Sequence, residues 1–221
     1  MPFKISSLRY LAMAGLVTAI VGCTAVTEET RATLEYAFSK PDDVQLSADE
    51  INDFPYTALY AKWDDSAQIL IVLGYIDSGE YNWVSADRET MVTVNGRVVR
   101  TAGVDYELMA VSNLSQDPLQ CVVTAPANCA LSWQRQIDIG TEDSRYTRSV
   151  RSEFRILGDE VLQLPSGEYQ VTRVEEHGTI GSQKFHNTFW IEADGHVVKS
   201  RQLIVPERKL LELTQVKWVG R

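Results

Sequence analysis

After Pro55 the chain alternates short apolar-rich runs with turn residues, which is the pattern of a sheet of short antiparallel strands. The links between these runs are too short for the helical crossovers that parallel strands require. Arg145–Leu157 alternates in part: Tyr146, Val150 and Phe154 share one face and charged residues occupy the other, while Arg148 breaks the apolar face. The predicted strands are Thr57–Trp63, Gln68–Ile76, Tyr81–Ser85, Thr90–Val94, Arg97–Thr101, Leu119–Thr124, Ala130–Gln136, Arg145–Leu157, Glu160–Leu164, Glu168–Glu176, Lys184–Glu192, His196–Val205 and Leu211–Trp218.

Turn residues separate these runs and indicate how neighbouring strands pair. Asn95-Gly96 and Asp194-Gly195 each predict a type I′ hairpin turn. Ser78-Gly79, Gly158-Asp159 and Ser166-Gly167 predict further turns. So many consecutive strands curl rather than remain flat. We therefore expect a mainly β domain, with a large antiparallel meander sheet curved into a barrel, a half-barrel or a sandwich.

Two short helices are predicted before the sheet. Glu28–Ser39 carries apolar residues at helical spacing and is followed by Pro41. The second helix has a stronger start signal, since Ser47 at the N-cap and Glu50 three residues later form a capping box. Pro55 ends this helix early, because the residue before a proline is disfavoured in helical geometry. We expect the two helices to cover an open face or edge of the sheet.

The N-terminus has a different pattern. A positively charged start leads into the apolar run Leu11–Val21, which is too short to span a bilayer as a helix but typical of a signal peptide. The segment Ile20-Val21-Gly22-Cys23 closes this run and is similar to the bacterial lipobox. By that similarity, cleavage falls between Gly22 and Cys23, and the Cys23 thiol is lipidated. The alternative is an ordinary signal peptide or membrane anchor with a chance cysteine.

Lipobox cleavage divides the chain into three parts. Residues 1–22 form the signal peptide, 23–43 a lipidated tether with the first helix, and 44–221 a single β-rich domain. Removing two basic residues changes the net charge from −9 to −11, which argues against nucleic-acid binding. Thr24 rather than Asp follows the cysteine, and by resemblance to enterobacterial sorting this favours the outer membrane. We expect a lipoprotein held by its acyl chains on the periplasmic face of a Gram-negative outer membrane.

Cys121 and Cys129 are the two cysteines left once Cys23 is lipidated. In an oxidising periplasm an even pair predicts a disulfide. A redox motif requires C-x-x-C spacing, and a metal pair requires further ligands such as a nearby histidine. The segment between the two cysteines contains Pro126 and Asn128 and is typical of a hairpin loop. We therefore expect a structural disulfide that braces a hairpin.

The sequence contains no motif of the common hydrolases, nucleotide-binding proteins or metalloproteases. His177, His186 and His196 lack ligand spacing, so we expect no metal, no cofactor and no catalytic residue. Among the five tryptophans, Trp83 and Trp190 are the candidate glycan contacts, because an indole presents a large apolar face to a sugar ring. Packing within the sheet is the alternative for both side chains.

Six strings follow the lipobox in a characteristic order: Pro55–Tyr60, Leu70–Gly74, Trp83–Asp87, Val92–Gly103, Asn187–Gly195 and Val198–Gln202. In this order they resemble the YjbF/GfcB family of outer-membrane lipoproteins, which is associated with exopolysaccharide and group-four capsule secretion. The resemblance covers about Tyr36 to Leu213. It implies a large antiparallel sheet with accessory helices, periplasmic and outer-membrane partners that export polysaccharide, and no established enzymatic activity.

The leading hypothesis is therefore a non-enzymatic outer-membrane lipoprotein that assists exopolysaccharide or capsule secretion or assembly. Its expected partners are the outer membrane, the polysaccharide-export proteins of the same system and the polysaccharide itself. One alternative is a periplasmic carrier or binding module for a lipid or lipid-linked glycan, which requires a continuous apolar cavity. A second is a glycan-modifying enzyme, which requires acidic residues that converge beside exposed aromatic rings.

Overall fold

Twelve strands form one antiparallel sheet in this computed structural model, which describes residues 42–141 and 143–220. The predicted signal peptide, Gly22, Cys23 and the first predicted helix lie outside the described residues. The strands are β1 Ala58–Trp63, β2 Ile69–Asp77, β3 Glu80–Ser85, β4 Thr90–Val94, β5 Arg97–Ala102, β6 Glu107–Val111, β7 Ser132–Gly140, β8 Arg145–Leu164, β9 Gly167–Ile180, β10 Gln183–Ile191, β11 Val197–Gln202 and β12 Leu211–Lys217.

The strand order is β5-β4-β3-β2-β1-β12-β11-β10-β9-β8-β7-β6. Two meanders, β1 to β5 and β6 to β12, are therefore joined by pairing of β1 with β12, where Ala61 faces Leu213. The two edge strands meet through a side chain, because the Leu108 backbone N–H donates to Thr101 Oγ1 at 2.9 Å. The result is a nearly closed, barrel-like sheet. The prediction of a mainly β, antiparallel and strongly curved fold is confirmed.

The segment between β6 and β7, residues 112–131, differs from its prediction. Leu119–Thr124 is not a strand, and the predicted hairpin around the disulfide is wrong. Asp117 caps a 3₁₀ turn by accepting from the Leu119 N–H at 3.1 Å, and Pro118 begins that turn. The Cys121–Cys129 disulfide lies in this turn-rich segment. The segment's 3₁₀ helices are Leu114–Gln116, Pro118–Gln120 and Pro126–Asn128.

The predicted hairpin turns have different outcomes. Asn95 and Gly96 have φ values of 48° and 75°, as a type I′ turn requires, so this prediction is confirmed. At Asp194-Gly195 only Gly195 has a positive φ, 92°, and its N–H donates to the Glu192 carbonyl at 2.9 Å. The register also shifts between Trp190 and Ile191. This connection is therefore a longer loop with a bulge, and the two-residue turn is wrong.

The predicted turn at Gly158-Asp159 is also wrong. The register between β8 and β9 shifts between Ile156 and Gly158, so Gly158 forms a β-bulge inside a continuous 20-residue strand. Gly158 has a φ of 125°, a conformation that L-residues rarely adopt. A bulge and a turn share this glycine signal, which is why the sequence predicts two strands where β8 is one.

Helix α1, Ala48–Asp53, precedes β1 and has the predicted capping box. The Glu50 N–H donates to Ser47 Oγ at 3.3 Å, and the Ser47 N–H donates to Glu50 Oε2 at 2.8 Å. Ile51 packs with Ala58 and Tyr60 on the outer face of β1. Within the described residues, no helix is long and apolar enough to cross a membrane.

Apolar side chains fill the inside of the curved sheet in two clusters. The larger cluster includes Leu59, Ile71 and Leu213 on the inner faces of β1, β2 and β12. In the second cluster, Leu119 and Val122 of segment 112–131 pack on buried side chains of β7 to β10. The irregular segment therefore fills the interior at the end of the sheet where β6 leads into β7.

Candidate functional site

A cleft of about 410 Å³ opens at the end of the sheet where the β4–β5 turn, the β10–β11 loop and the end of β12 meet. Its walls include Gly96, His196 and Trp218. A second depression of about 830 Å³ lies between α1 and the β8–β9 turn, and Trp218 also lines it. Because Trp218 lines both, the two regions are together called the Trp218 cleft.

Aromatic rings surround Trp218. The ring centroids of Tyr81 and Trp83 lie 5.6 and 6.3 Å from that of Trp218, and the His196 ring meets it edge-on at 4.2 Å. Trp83 is only 2 % exposed, and its indole N–H donates to Thr93 Oγ1 at 2.9 Å. Trp83 therefore supports the wall, whereas the half-buried Tyr81 and Trp218 rings present apolar surface to the cleft.

A chain of hydrogen bonds joins the two parts of the cleft. The side-chain amide of the buried Gln215 donates to the Tyr169 hydroxyl at 3.0 Å. Its oxygen therefore faces His196 Nε2, 2.7 Å away, and accepts from the Nε2–H of that ring. This chain fixes the tautomer and orientation of His196 and places three polar groups beside the aromatic surface.

Two glycines allow the cleft walls to approach closely. A Cβ on Gly96 would lie 2.3 Å from Val197 Cβ, so the β4–β5 turn packs directly on β11. Gln202 Nε2 donates to the Gly96 carbonyl at 2.8 Å and holds this contact. A Cβ on Gly195 would lie 3.1 Å from Thr124 Cγ2, so segment 112–131 contacts the β10–β11 loop. At both glycines the backbone therefore lies directly against a side chain of the opposite wall.

A buried ion network lies behind the Gly96 wall. Arg97 follows Gly96, forms a two-nitrogen ion pair with Asp117 and places Nη1 3.0 Å from Glu176 Oε2. Arg135 Nη1 lies 2.8 Å from the other Glu176 oxygen. All four charged side chains are less than a tenth exposed. The network joins the edge strand β5, segment 112–131, β7 and β9 from inside the sheet.

The charges of this network hold one another in their ionised forms. Burial alone raises the pKa of Glu176, but the charges of Arg97 and Arg135 outweigh it and hold that pKa at about 2. Burial lowers the pKa of Arg135 to about 10, against the effect of Glu176. Burial also opposes the charge of Arg97, yet Asp117 and Glu176 raise its pKa. All three groups are charged at neutral pH.

The two predicted glycan contacts lie in different places. Trp83 is buried in the cleft wall, whereas Trp190 lies on the outer face of β10. The Trp190 indole donates to Glu160 Oε1 at 2.7 Å, and Lys199 Nζ lies 5.5 Å from its ring. The aromatic centre of the cleft is Trp218, which the sequence shows only as the last residue of the last predicted strand. Trp218 gains this role because loops that are distant in sequence come together around it in the fold, and no residue spacing in the sequence predicts such an arrangement.

Comparison with known proteins identifies a protein family that this chain matches. A family model described as "Group 4 capsule polysaccharide lipoprotein gfcB, YjbF" matches residues 31–216. Two Escherichia coli (strain K12) proteins, described as uncharacterized lipoproteins YjbF and GfcB, are each 28% identical to this chain. The YjbF match covers 88% of this chain and 91% of YjbF, and the GfcB match covers 90% and 93%.

A solved structure has a similar fold. The crystal structure of the hypothetical lipoprotein YmcC from Escherichia coli (K12) superposes with a TM-score of 0.72 at 27% sequence identity. The match covers 87% of this chain and 96% of YmcC. The twelve-stranded, nearly closed sheet is therefore a YmcC-like fold.

Proposed function

This chain belongs to the YjbF/GfcB family of group 4 capsule polysaccharide lipoproteins, and on that basis we propose that it binds an exported polysaccharide in the Trp218 cleft. It acts as a non-enzymatic lipoprotein on the periplasmic face of the outer membrane. There it assists secretion or assembly of the exopolysaccharide together with the export proteins of the same system.

The proposed anchor rests on the sequence and on the relatives. The lipobox-like segment ending at Cys23 predicts a lipidated N-terminus, and YjbF and GfcB are both described as lipoproteins. Thr24 after the cysteine favours the outer membrane over the inner one. The acyl chains on Cys23 hold the protein there, since each buried methylene contributes about 0.8 kcal/mol.

The observation that carries the binding proposal is the aromatic cleft. Sugar rings combine apolar C–H faces with hydroxyl edges, so proteins bind them with aromatic faces flanked by hydrogen-bonding groups. Tyr81 and Trp218 supply the faces, and His196 and Tyr169 supply polar groups at the side. The tip of α1 and the β8–β9 turn extend this surface into the second depression. An elongated chain therefore fits better than a single small ring.

Binding of a lipid chain is the weaker alternative. A lipid carrier requires a continuous apolar cavity, whereas the Trp218 cleft is open and has Asn95, Asp194 and His196 in its walls. The interior of the sheet contains the two apolar clusters and the ion network. These features support a surface that binds a polar polymer.

The binding proposal is tested with the full chain in detergent and polysaccharide extracted from the source bacterium. Electrophoresis in gels containing this polysaccharide should retard the wild type. Trp218→Ala should weaken binding roughly tenfold, which corresponds to about 1.4 kcal/mol. Trp190→Ala is the matched control, because this indole lies on the outer face, and it should bind as the wild type does. Equal retardation of Trp218→Ala and wild type would contradict binding in the cleft.

A further inference from the structure

Two histidines and a glutamate meet on the outer face of the sheet, near the β9–β10 turn. Glu175 and His177 lie two residues apart on β9 and share one face, and His186 pairs with His177 across the strands. The two imidazole rings stack with their centroids 4.2 Å apart. Glu175 Oε2 lies 2.9 Å from His177 Nε2, and Glu175 Oε1 lies 3.3 Å from His186 Nε2.

The strand register fixes this arrangement. His177 and His186 are nine residues apart in sequence, so no short metal-binding motif joins them and only the strand register brings them together. Gly178, next to His177, pairs with Phe185, and a Cβ on Gly178 would lie 2.7 Å from the Phe185 ring. This ring can pack only on a glycine. The contact therefore holds the register that brings the two histidines opposite each other.

We propose that Glu175, His177 and His186 form a binding site for one divalent transition-metal ion, with zinc as its best ligand match. Neutral imidazole nitrogens and a carboxylate oxygen are the ligands that zinc takes in proteins, at about 2.0–2.2 Å. Two ligands at that length in tetrahedral geometry lie about 3.3 Å apart. The potential ligand atoms of the three residues already lie within 4.8 Å of one another, so small side-chain rotations complete the site.

The exposure of the cluster also suits a metal ion. The side chains of His177 and His186 are 42% and 48% exposed, so an ion reaches them directly from solvent. On the neighbouring strand β8, Glu153 and Arg155 are the register partners of His177 and Glu175. Arg173 also acts on Glu175, and Lys184 lies beside the two histidines, so the cations near the cluster outnumber its carboxylates and the three ligands themselves must provide the affinity. Three protein ligands leave a fourth coordination position for water, as in open zinc sites.

The site is tested by isothermal titration of zinc chloride into the full chain, prepared without an affinity tag and stripped with a chelator. The wild type should bind one equivalent of zinc. His177→Ala, His186→Ala and the near-isosteric Glu175→Gln should each weaken this binding at least tenfold. His196→Gln removes the same type of ring from the other end of the sheet, so its zinc affinity should equal that of the wild type.

Thermal unfolding provides a second readout that does not depend on heat of binding. Zinc should raise the melting temperature of the wild type and of His196→Gln, because a ligand that binds the folded state stabilises it. It should not raise that of His177→Ala or His186→Ala. Absence of saturable one-equivalent binding, or equal affinity in the two histidine variants and the wild type, overturns the proposal.

Discussion

Glu176 has both carboxylate oxygens buried inside the sheet, where an isolated charge would be strongly unfavourable. Arg97 and Arg135 each approach a different oxygen, and Asn187 Nδ2 donates to Oε2 at 2.9 Å. The Arg135 guanidinium also lies 4.1 Å from the Trp133 ring centroid, over its face. Glu176 is therefore the centre on which the two buried arginines depend.

The stability of the protein should fall as the pH is lowered below 4.5, the ordinary pKa of a glutamate side chain. The pKa of Glu176 is lowered from 4.5 to about 2 in the folded state. Its contribution is therefore fully present above pH 4.5 and is lost progressively as the pH falls toward 2. The difference corresponds to about 3 kcal/mol of unfolding free energy. Urea denaturation at a series of pH values between 6 and 2 measures this loss.

Two variants distinguish the contribution of Glu176 to acid unfolding from the contributions of the other carboxylates. Glu176→Gln should be less stable at neutral pH by about 3–5 kcal/mol, because two buried arginines lose a shared partner. Its unfolding free energy should also fall less steeply between pH 4.5 and 2 than that of the wild type. The exposed Glu168→Gln should keep the wild-type slope. A wild-type slope in Glu176→Gln would show that other carboxylates govern the acid response.

Residues of this network carry no sequence signal for burial. Arg135 and Glu176 each fall within a predicted strand, where a charged residue ordinarily faces solvent. Asp117 lies in a turn-like segment, where a polar residue is expected in any case. Their burial follows from partners on four separate elements, so it could be found only from the tertiary structure.

At the scale of elements, segment 112–131 connects the interior to the cleft. Leu119 and Val122 fill the interior, Asp117 joins the ion network, and Thr124 contacts the loop that carries His196. This segment has no strand partner over most of its length, so the Cys121–Cys129 disulfide limits the freedom of its unfolded chain.

Replacing both cysteines by alanine should lower the unfolding free energy by about 2.5 kcal/mol, because the bond closes a loop of about nine residues. Urea denaturation of the double variant measures the loss, and reducing the wild type with dithiothreitol should produce a similar change. An unchanged midpoint in both experiments would mean that packing alone holds the segment.

The predicted and observed elements agree where local chemistry decides the conformation. The capping box of α1 and the Asn95-Gly96 turn depend on neighbouring residues, and both were predictable. β6, Glu107–Val111, was missed because it is a short edge strand with little alternation. The bulge at Gly158 and the turns around Asp117 depend on partners elsewhere in the chain, so sequence patterns misassigned them.

At the scale of the whole molecule, the strand order places α1, the turns after even-numbered strands and the end of β12 at one end of the sheet. This arrangement creates the Trp218 cleft and leaves the Glu175–His177–His186 cluster near the other end, on the outer face. Curvature and antiparallel order followed from the number and spacing of strands. The near closure of the sheet could not be predicted in this way, because it depends on contacts between β5 and β6 that do not form a continuous hydrogen-bonded ladder.

The family assignment was also predictable, because it rests on strings distributed along the whole chain, and the family model confirms it. The strings are structural, so they identify the family better than they identify a site. This is why the candidate contacts chosen from the sequence, Trp83 and Trp190, do not include Trp218. The function therefore has to be tested at the cleft.

The most direct test is the amount of surface polysaccharide on cells whose single copy of this protein is wild type, Trp218→Ala, Trp190→Ala or Cys23→Ser. Immunoblots of membrane fractions control for the level and location of the two tryptophan variants relative to the wild type. We expect Trp218→Ala and the unanchored Cys23→Ser to reduce surface polysaccharide several-fold, and Trp190→Ala to leave it unchanged. Wild-type amounts of surface polysaccharide with Trp218→Ala at normal protein level would contradict the role proposed for the cleft.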